Sequence, residues 1–431
     1  MSTPAAESTP AAEFQTLTDA QILRTLYDAA LAAALPQGKF EGLLPEPPGP
    51  GGRTIVIGAG KASALMAQAF EEAWAHPCEG LIVTRYGHAC PTRSIEVVEA
   101  AHPVPDEAGL AAARRILDLA RSAGPQDLVI CLMSGGASSL LTLPAEGLTL
   151  ADKQALNKAL LKSGAPIGVM NKVRKAVSAI KGGRLAAAIA PARAVTYLIS
   201  DVPGDDPAAI GSGPTIPEAS DPEEVLSLMR TWRVETTPAL EAVIRSNTVS
   251  GETPPDQAVH MIATPLMALR AAEKRAAELG LSSLILGDAI EGEAREAAHV
   301  FAGIARCASL HGVPLKTPGV LLSGGETTVT VRGHGRGGRN VEFLLALALS
   351  LKGAGGISAI ACDTDGIDGT EDSAGAWFDA AILSEAEAAG LSAAQMLLNN
   401  DGYSFFAALD RLVTTGPTLT NVNDFRAILV R

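Results

Sequence analysis

Short runs of β-branched and aliphatic residues alternate with Ala- and Leu-rich stretches of helical length through most of this chain, and no other feature constrains its fold as strongly. The runs fall at 54–57, 81–84, 95–99, 128–133 and 195–200, with helical segments at 61–74 and 106–122 and a less regular helical region over 150–190. Apolar runs this brief are too short to hold a helix but suit a strand buried on both faces. Strands joined through helices pair in parallel, so the pattern predicts a mainly parallel sheet covered on both sides. A second set starts near residue 240, with strands at 260–263, 283–286, 320–322, 328–331, 357–361 and 427–430 and helices at 265–279, 292–310, 340–351 and 380–389. The chain therefore reads as two α/β domains, 1–240 and 241–431. A helix at 19–35 opens the first, with Thr18 as its N-cap and Pro36 marking its end.

Composition narrows the class of partner. Hydrophobic residues make up 47% but aromatics only 4%, so Ala, Leu, Val and Ile must build the core. The net charge of −13 argues against a nucleic-acid surface or an anionic membrane as main partner, yet leaves room for a few cations focused on a phosphorylated ligand. Five scattered cysteines without a CxxC pair predict reduced, mostly buried thiols, and seven histidines without ligand spacing offer no His-based metal site. Residues 1–18 carry neither the basic start nor the apolar stretch of a secretory signal and read as a disordered tail. No apolar run of about eighteen residues occurs, so a soluble cytoplasmic protein is expected.

In open α/β sheets ligands bind beyond the carboxyl ends of the strands, and the unusual residues of this chain gather there. In IVIGAGKAS, Gly58 and Gly60 let the backbone turn sharply and set Lys61 where a following helix offers N–H groups to an anion. The motif is not the Rossmann GxGxxG, because Ser63 takes the third glycine's place. Nor is it a Walker P-loop, because Ile55 stands where that loop needs glycine. Alone it reads equally as an anion site or a tight turn. After the strand at 128–133, Ser134, Gly135, Gly136, Ser138 and Ser139 form a hydroxyl-rich turn suited to phosphate oxygens. Ser323, Gly324, Gly325 and Glu326 close the strand at 320–322 in a similar way, and two such turns suggest one ligand held from both sides.

Asn171, Arg174, Lys175 and Lys181 recur at helical spacings beside Gly182 and Gly183, as either a solvated basic face or an anion-binding one. Carboxylates cluster at two strand ends, with Asp201, Asp205 and Asp206 at one and Asp363, Asp365, Asp368, Glu371 and Asp372 at the other. Hard oxygen donors of this kind suit magnesium, and a carboxylate can also take a proton from an attacking hydroxyl. Arg339, Asn340 and Glu342 follow a Gly-rich loop at a helix start, where an arginine fork could grip carboxylate or phosphate and the loop could close over it.

Taken together, IGAGKAS, HPVPDE, SGGASSLL, NKVRK with IKGGRL, ISDVPGDD with GSGPT, LLSGGET, GGRN, CDTDGIDG and TGPTLTNVND resemble, in order from about residue 20 to 425, the glycerate 2-kinase family. Some members of that family carry the label hydroxypyruvate reductase. The resemblance implies an ATP-dependent kinase that makes 2-phosphoglycerate from D-glycerate with magnesium or another divalent cation. It implies an N-terminal Rossmann-like domain and a smaller C-terminal α/β domain with a MOFRL-type signature over about 319–425, around an active-site cleft. Catalytic roles fall on Lys61, Asp201 and Arg339. Gly58, Gly60, Ser134, Gly135, Gly136, Ser138, Asn171, Arg174, Lys181, Gly182, Gly324, Gly325, Glu326 and Asn340 are expected to bind substrate or nucleotide, and Asp205 and Asp365 the metal. Lys61 and Arg339 would neutralise the transferring phosphoryl group or the substrate carboxylate, and Asp201 would orient or deprotonate the attacking hydroxyl. Glycerate and ATP are the implied partners, with neither nucleic acid nor membrane and with a homo-oligomer left open.

Two departures from the family pattern stand out. Val341 replaces a glutamine between Asn340 and Glu342, and Leu419 replaces a glycine, where its side chain could fill space the loop leaves open. Two rival readings remain. An NAD(P)H-dependent hydroxypyruvate reductase would share the architecture, but the dinucleotide fingerprint is incomplete and no His–carboxylate pair is evident. A non-catalytic sugar-acid or nucleotide-binding protein would leave the carboxylates and cations without a task.

Overall fold

The computed structural model describes residues 16–249, 251 and 256–431. Most of the tail expected at 1–18 lies outside them, but Thr18 is the cap of the helix Asp19–Ala34. Its hydroxyl accepts from Gln21 N while the Gln21 amide oxygen accepts from Thr18 N, so two otherwise orphaned donors are satisfied together.

Six strands form the first sheet: β1 Thr54–Ala59, β2 Glu79–Arg85, β3 Ile95–Ala100, β4 Leu128–Ser134, β5 Arg193–Ile199 and β6 Gln257–Ala263. They lie in the order β3-β2-β1-β4-β5-β6, and every pairing from β3 through β5 is parallel. That is the doubly wound Rossmann order, in which the chain runs outward from the centre in both directions. The reversal falls between β1 and β4, which carry the IGAGK and SGGASS turns at their carboxyl ends. β1 and β4 are buried along their whole length, as uninterrupted apolar runs in a sheet covered on both faces require.

The second sheet is built from β7 Ser282–Gly287, β9 Gly319–Ser323, β11 Ile357–Asp363, β12 Gly375–Phe378, β13 Leu412–Val413 and β14 Asp424–Val430, while β8 Gly292–Glu293 and β10 Thr327–Thr328 pair separately. Its order is β13-β12-β11-β14-β9-β7, parallel only between β7 and β9. The last strand in sequence is thus a central one, hydrogen-bonded on both edges.

Contacts divide the chain into two units. The N-terminal unit holds Pro36–Ile262 and Leu419–Asn421, and the C-terminal unit holds the chain up to Leu35, Ala263–Thr418 and Val422–Arg431. Three expectations change accordingly. The strand foreseen at 260–263 completes the first sheet instead of opening the second. It leads directly into the helix Pro265–Glu278, so periodicity could not say which sheet it joins. The first helix belongs to the C-terminal unit, burying Ile22, Leu23, Leu26 and Tyr27, with the Tyr27 ring 5.9 Å from Phe425. The strand at 328–331 shrinks to Thr327–Thr328, because Thr330 N turns to the Glu293 carboxylate at 3.1 Å instead of to a neighbouring strand.

Candidate functional site

In the N-terminal unit the two turns beside the strand-order reversal interlock. Lys61 N donates to Gly135 O at 2.9 Å and Ala62 N to Ser134 Oγ at 3.0 Å. Gly60 N donates to Val83 O and Ser63 N to Gly60 O, and the Ser63 hydroxyl turns inward onto Gly60 O and Val83 O. The N–H groups expected to meet an anion at this turn are therefore spent on the protein. Gly60 has a φ of +135°, and a Cβ there would stand 2.1 Å from Ser134 Oγ, so only glycine fits. Gly58 lies flat on Leu132 O, where a Cβ would come within 2.4 Å. What the turn does is hold Lys61 against the next one.

At that next turn a Cβ on Gly135 would fall 1.8 Å from Asp201 Oδ2, and one on Gly136 would fall 3.2 Å from Lys61 Cγ and 3.3 Å from His102 Nε2. Asp201 thus lines Gly135, while Lys61 and His102 line the adjacent Gly136. Asn421 Nδ2 donates to Asp201 Oδ2 at 3.1 Å and anchors the carboxylate. Asn421 is 3% exposed, and the segment Leu419–Asn421 that carries it begins at a left-handed residue, Leu419, with φ +60°. The glycine that Leu419 replaces is therefore missed for its backbone freedom as well as for its size.

A polar chain extends from the same turn. Ser138 Oγ and Ser212 Oγ are 2.7 Å apart, Ser212 Oγ reaches Asn171 Oδ1 at 3.4 Å, and Arg174 donates to Asn171 Oδ1 at 3.4 Å and to Asn157 Oδ1 at 2.8 Å. Lys181, expected to bind substrate or nucleotide, sits inside the protein. It is fully buried, and its ammonium donates to Leu141 O at 3.0 Å and Gly211 O at 3.4 Å. Burial, with Lys153 and Arg174 nearby, pushes its ionisation well below the ordinary lysine range. Gly182, at φ +61°, donates its N–H to Ser212 O and shapes the backbone there. Asp205, half-buried on the loop after β5, also holds a left-handed backbone, with φ +54°.

The C-terminal unit gathers its own charged cluster at the start of the helix Arg339–Leu351. Arg339 donates to Asp424 at 2.8 Å, Asp363 at 2.7 Å and Glu326 at 3.0 Å. Burial would lower its ionisation, but those three carboxylates hold the guanidinium far above its usual range. Asp424 also pairs with the buried Arg426 at 2.5 Å. Asn340 and Val341 donate their N–H groups to Asp368 at 3.0 Å each, so Asp368 caps the helix from a distance in sequence. Burial pushes Asp368 up to about 6, against the pull of those two donors. The Asn340 side chain reaches Asp424 at 2.8 Å, and Glu342 is held inside by Arg295 and Asn400. These contacts make Asn340 and Glu342 parts of the scaffold.

Gly325, at φ +109°, packs on Ile290, and Gly324 receives Arg426 on its carbonyl at 3.2 Å. Glu326 is the exposed arm of the Arg339 cluster, at 49% against 5% for Asp363. Asp365 is 4% exposed and accepts from Ile367 N at 2.9 Å, and Asp205 is half-buried with its Oδ1 shielded from solvent. Among the described residues no group of three or more His, Cys, Asp or Glu side chains could hold a metal ion. Sequence reasoning quoted Asn421 and Asp424 within TGPTLTNVND and Ser212 within GSGPT without giving any of them a role, and passed over Lys153, because only the fold shows which groups each one meets.

Residues 22–245 match a family model described as Domain of unknown function (DUF4147), and residues 319–424 match the MOFRL family. The chain is 50% identical over 420 residues to an Agrobacterium vitis protein named "Putative hydroxypyruvate reductase", covering 95% of this chain and 94% of that one. It is 39% identical over 374 residues to a Thermotoga maritima protein named D-glycerate 2-kinase, covering 86% of this chain and 89% of the other. The crystal structure of a glycerate kinase from Thermotoga maritima matches with a TM-score of 0.88 at 36% identity, covering 96% of this chain and 99% of that one.

Proposed function

The chain belongs to the glycerate 2-kinase family, in which a DUF4147 region is followed by a MOFRL region, and from that premise we propose that it transfers the terminal phosphoryl group of ATP to the 2-hydroxyl of D-glycerate. The observation that carries this reading is that Asp201 and Lys61 line the consecutive glycines Gly135 and Gly136, at the reversal of strand order where doubly wound sheets bind ligands.

Phosphoryl transfer asks a protein mainly to position reactants and to neutralise charge. Asp201, steadied by Asn421, orients the attacking hydroxyl and takes its proton. The Lys61 side chain, whose Cγ packs on Gly136, offsets charge on the transferring group. Donors for phosphate oxygens come from the Ala137 and Ser138 amides that follow Gly136, since those of the Lys61 turn and of Ser139 and Leu140 are engaged elsewhere. Within the C-terminal unit Arg339 keeps its fork occupied by carboxylates, and its most exposed partner, Glu326, is the one that a substrate anion would displace. A divalent cation such as magnesium, which usually binds one or two carboxylates together with substrate phosphates, would find a ligand in Asp205 and would neutralise phosphate charge there.

The reductase reading fares worse. A dinucleotide fold uses its third glycine for close helix packing at the pyrophosphate, and here that position is Ser63, fully buried with its hydroxyl tied to two carbonyls. Purified chain given D-glycerate, ATP and magnesium should release ADP and show 2-phosphoglycerate by phosphorus NMR. Oxidation of NADH or NADPH with hydroxypyruvate, without ADP release, would reverse the assignment.

A further inference from the structure

Lys153 has no part in the mechanism above, yet its setting is costly. It lies in the first turns of the helix Leu150–Ser163, 7% exposed, and its ammonium has no hydrogen-bond partner among the described residues. The groups acting on it are other cations. Burial, together with Arg174 and Arg184, pushes its ionisation down to about 7, and Lys153 and Arg174 act in turn on the buried Lys181.

None of the four is ion-paired among the described residues. Arg174 spends donors on Asn157 and Asn171, Arg184 on the side chain and carbonyl of Asn247 and on Lys181 O, and Lys181 on two carbonyls. A buried cation left without an anion is strongly unfavourable, and a bound anion would relieve that cost. The cluster is also connected to the candidate site, since Arg174 joins the turn after β4 through Asn171, Ser212 and Ser138.

We propose that Lys153, Arg174, Lys181 and Arg184 form a built oxyanion pocket in the N-terminal unit, with the Lys153 ammonium as the contact group for a carboxylate or phosphate of the reactants. This rests on the kinase reading only for the choice of anions. An anion would complete the pocket by supplying the acceptor that Lys153 lacks, and Asn157, one helical turn on, keeps Arg174 aimed at the same space.

The test is calorimetric titration of the full chain and of Lys153→Met with D-glycerate, inorganic phosphate and ATP separately, with melting of both proteins in anion-free buffer. The variant should bind at least one of the three about tenfold or more weakly and should melt no lower than the parent, because it loses an uncompensated buried charge. Loss confined to D-glycerate identifies a carboxylate pocket, and loss of phosphate and ATP a phosphoryl pocket. Undiminished binding of all three overturns the proposal, as does no binding by the parent. A variant that melts well below the parent also overturns it, since Lys153 would then be a structural lysine. Binding is read without turnover, so a chain that loses anions in the variant but phosphorylates nothing would sink the kinase reading and spare the pocket.

Discussion

Gly135→Ala separates the position of Asp201 from the integrity of the fold. A Cβ at that residue would stand 1.8 Å from Asp201 Oδ2 and 2.2 Å from its Cγ, so the carboxylate must retreat by more than about 1 Å to restore contact distance. The backbone of Gly135, unlike that of Gly136 at φ +83°, lies outside the left-handed region, so alanine carries no conformational penalty of its own. A displacement of about 1 Å at a proton-accepting group costs on the order of a hundredfold in rate. The hydrogen bond from Asn421 is disturbed as well, at about 1 kcal/mol of stability. Steady-state ADP release should therefore show kcat down roughly a hundredfold. The KM for ATP should change little, and thermal melting should move by only a few degrees. Gly136→Ala, which must adopt a strained φ, should lose stability instead, by about 1–2 kcal/mol. If Gly135→Ala is folded and keeps kcat within about threefold of the parent, a ratio worth well under the hundredfold expected, Asp201 does not act where this reasoning puts it.

Lys61→Met should abolish turnover by several orders of magnitude while circular dichroism and melting stay near the parent's; near-normal activity would remove Lys61 from the mechanism. Leu419→Gly relieves a left-handed leucine and should raise stability by up to about 1 kcal/mol in chemical denaturation, less whatever the freer unfolded chain takes back. A lowered midpoint would show that the leucine side chain matters more than its backbone. Asp368 has its ionisation raised to about 6 in the folded chain, so its contribution to stability is greatest at low pH and is lost as pH rises from about 4 through 6. Asp368→Asn should flatten that window relative to the parent, whatever its absolute stability, and an unchanged slope would refute the assignment.

The alternation of strand and helix was legible because central strands such as β1 and β4 are nearly uninterrupted apolar runs, as a sheet buried on both faces requires. Thr18, Asp106 and Pro36 punctuate the helices where their side-chain chemistry puts them. What sequence could not reveal was membership. Periodicity describes the helix Asp19–Ala34 and the strand Gln257–Ala263 correctly but carries no information about which core each one joins. The short strands β12 and β13 were likewise missed, because a four-residue and a two-residue strand leave almost no pattern.

The site divides along similar lines. Glycines that a strand end cannot do without, such as Gly60 and Gly135, could be read from the motifs. Lys181 looked like its neighbours on a basic helix face, and only the fold shows that its ammonium ends on main-chain carbonyls. Arg339 announced itself, but the three carboxylates that occupy it come from residues 326, 363 and 424 and no local pattern unites them.

The central place of β14 has a consequence for how the chain is made. Tyr27 leaves the ribosome about 20–80 s before Phe425, the ring it will pack against, at ordinary rates of synthesis. The helix Pro265–Glu278, on which the first helix also packs, is made well before that interval ends, but Tyr27 still waits for Phe425, and β9 and β11 wait with unfilled edges for the strand that pairs with both. All six strands of the first sheet have by then been synthesised, so it can fold on the nascent chain. The second must close across nearly the whole length of the polypeptide after its final strand emerges, the slowest kind of contact to form and the one most in need of protection while it does.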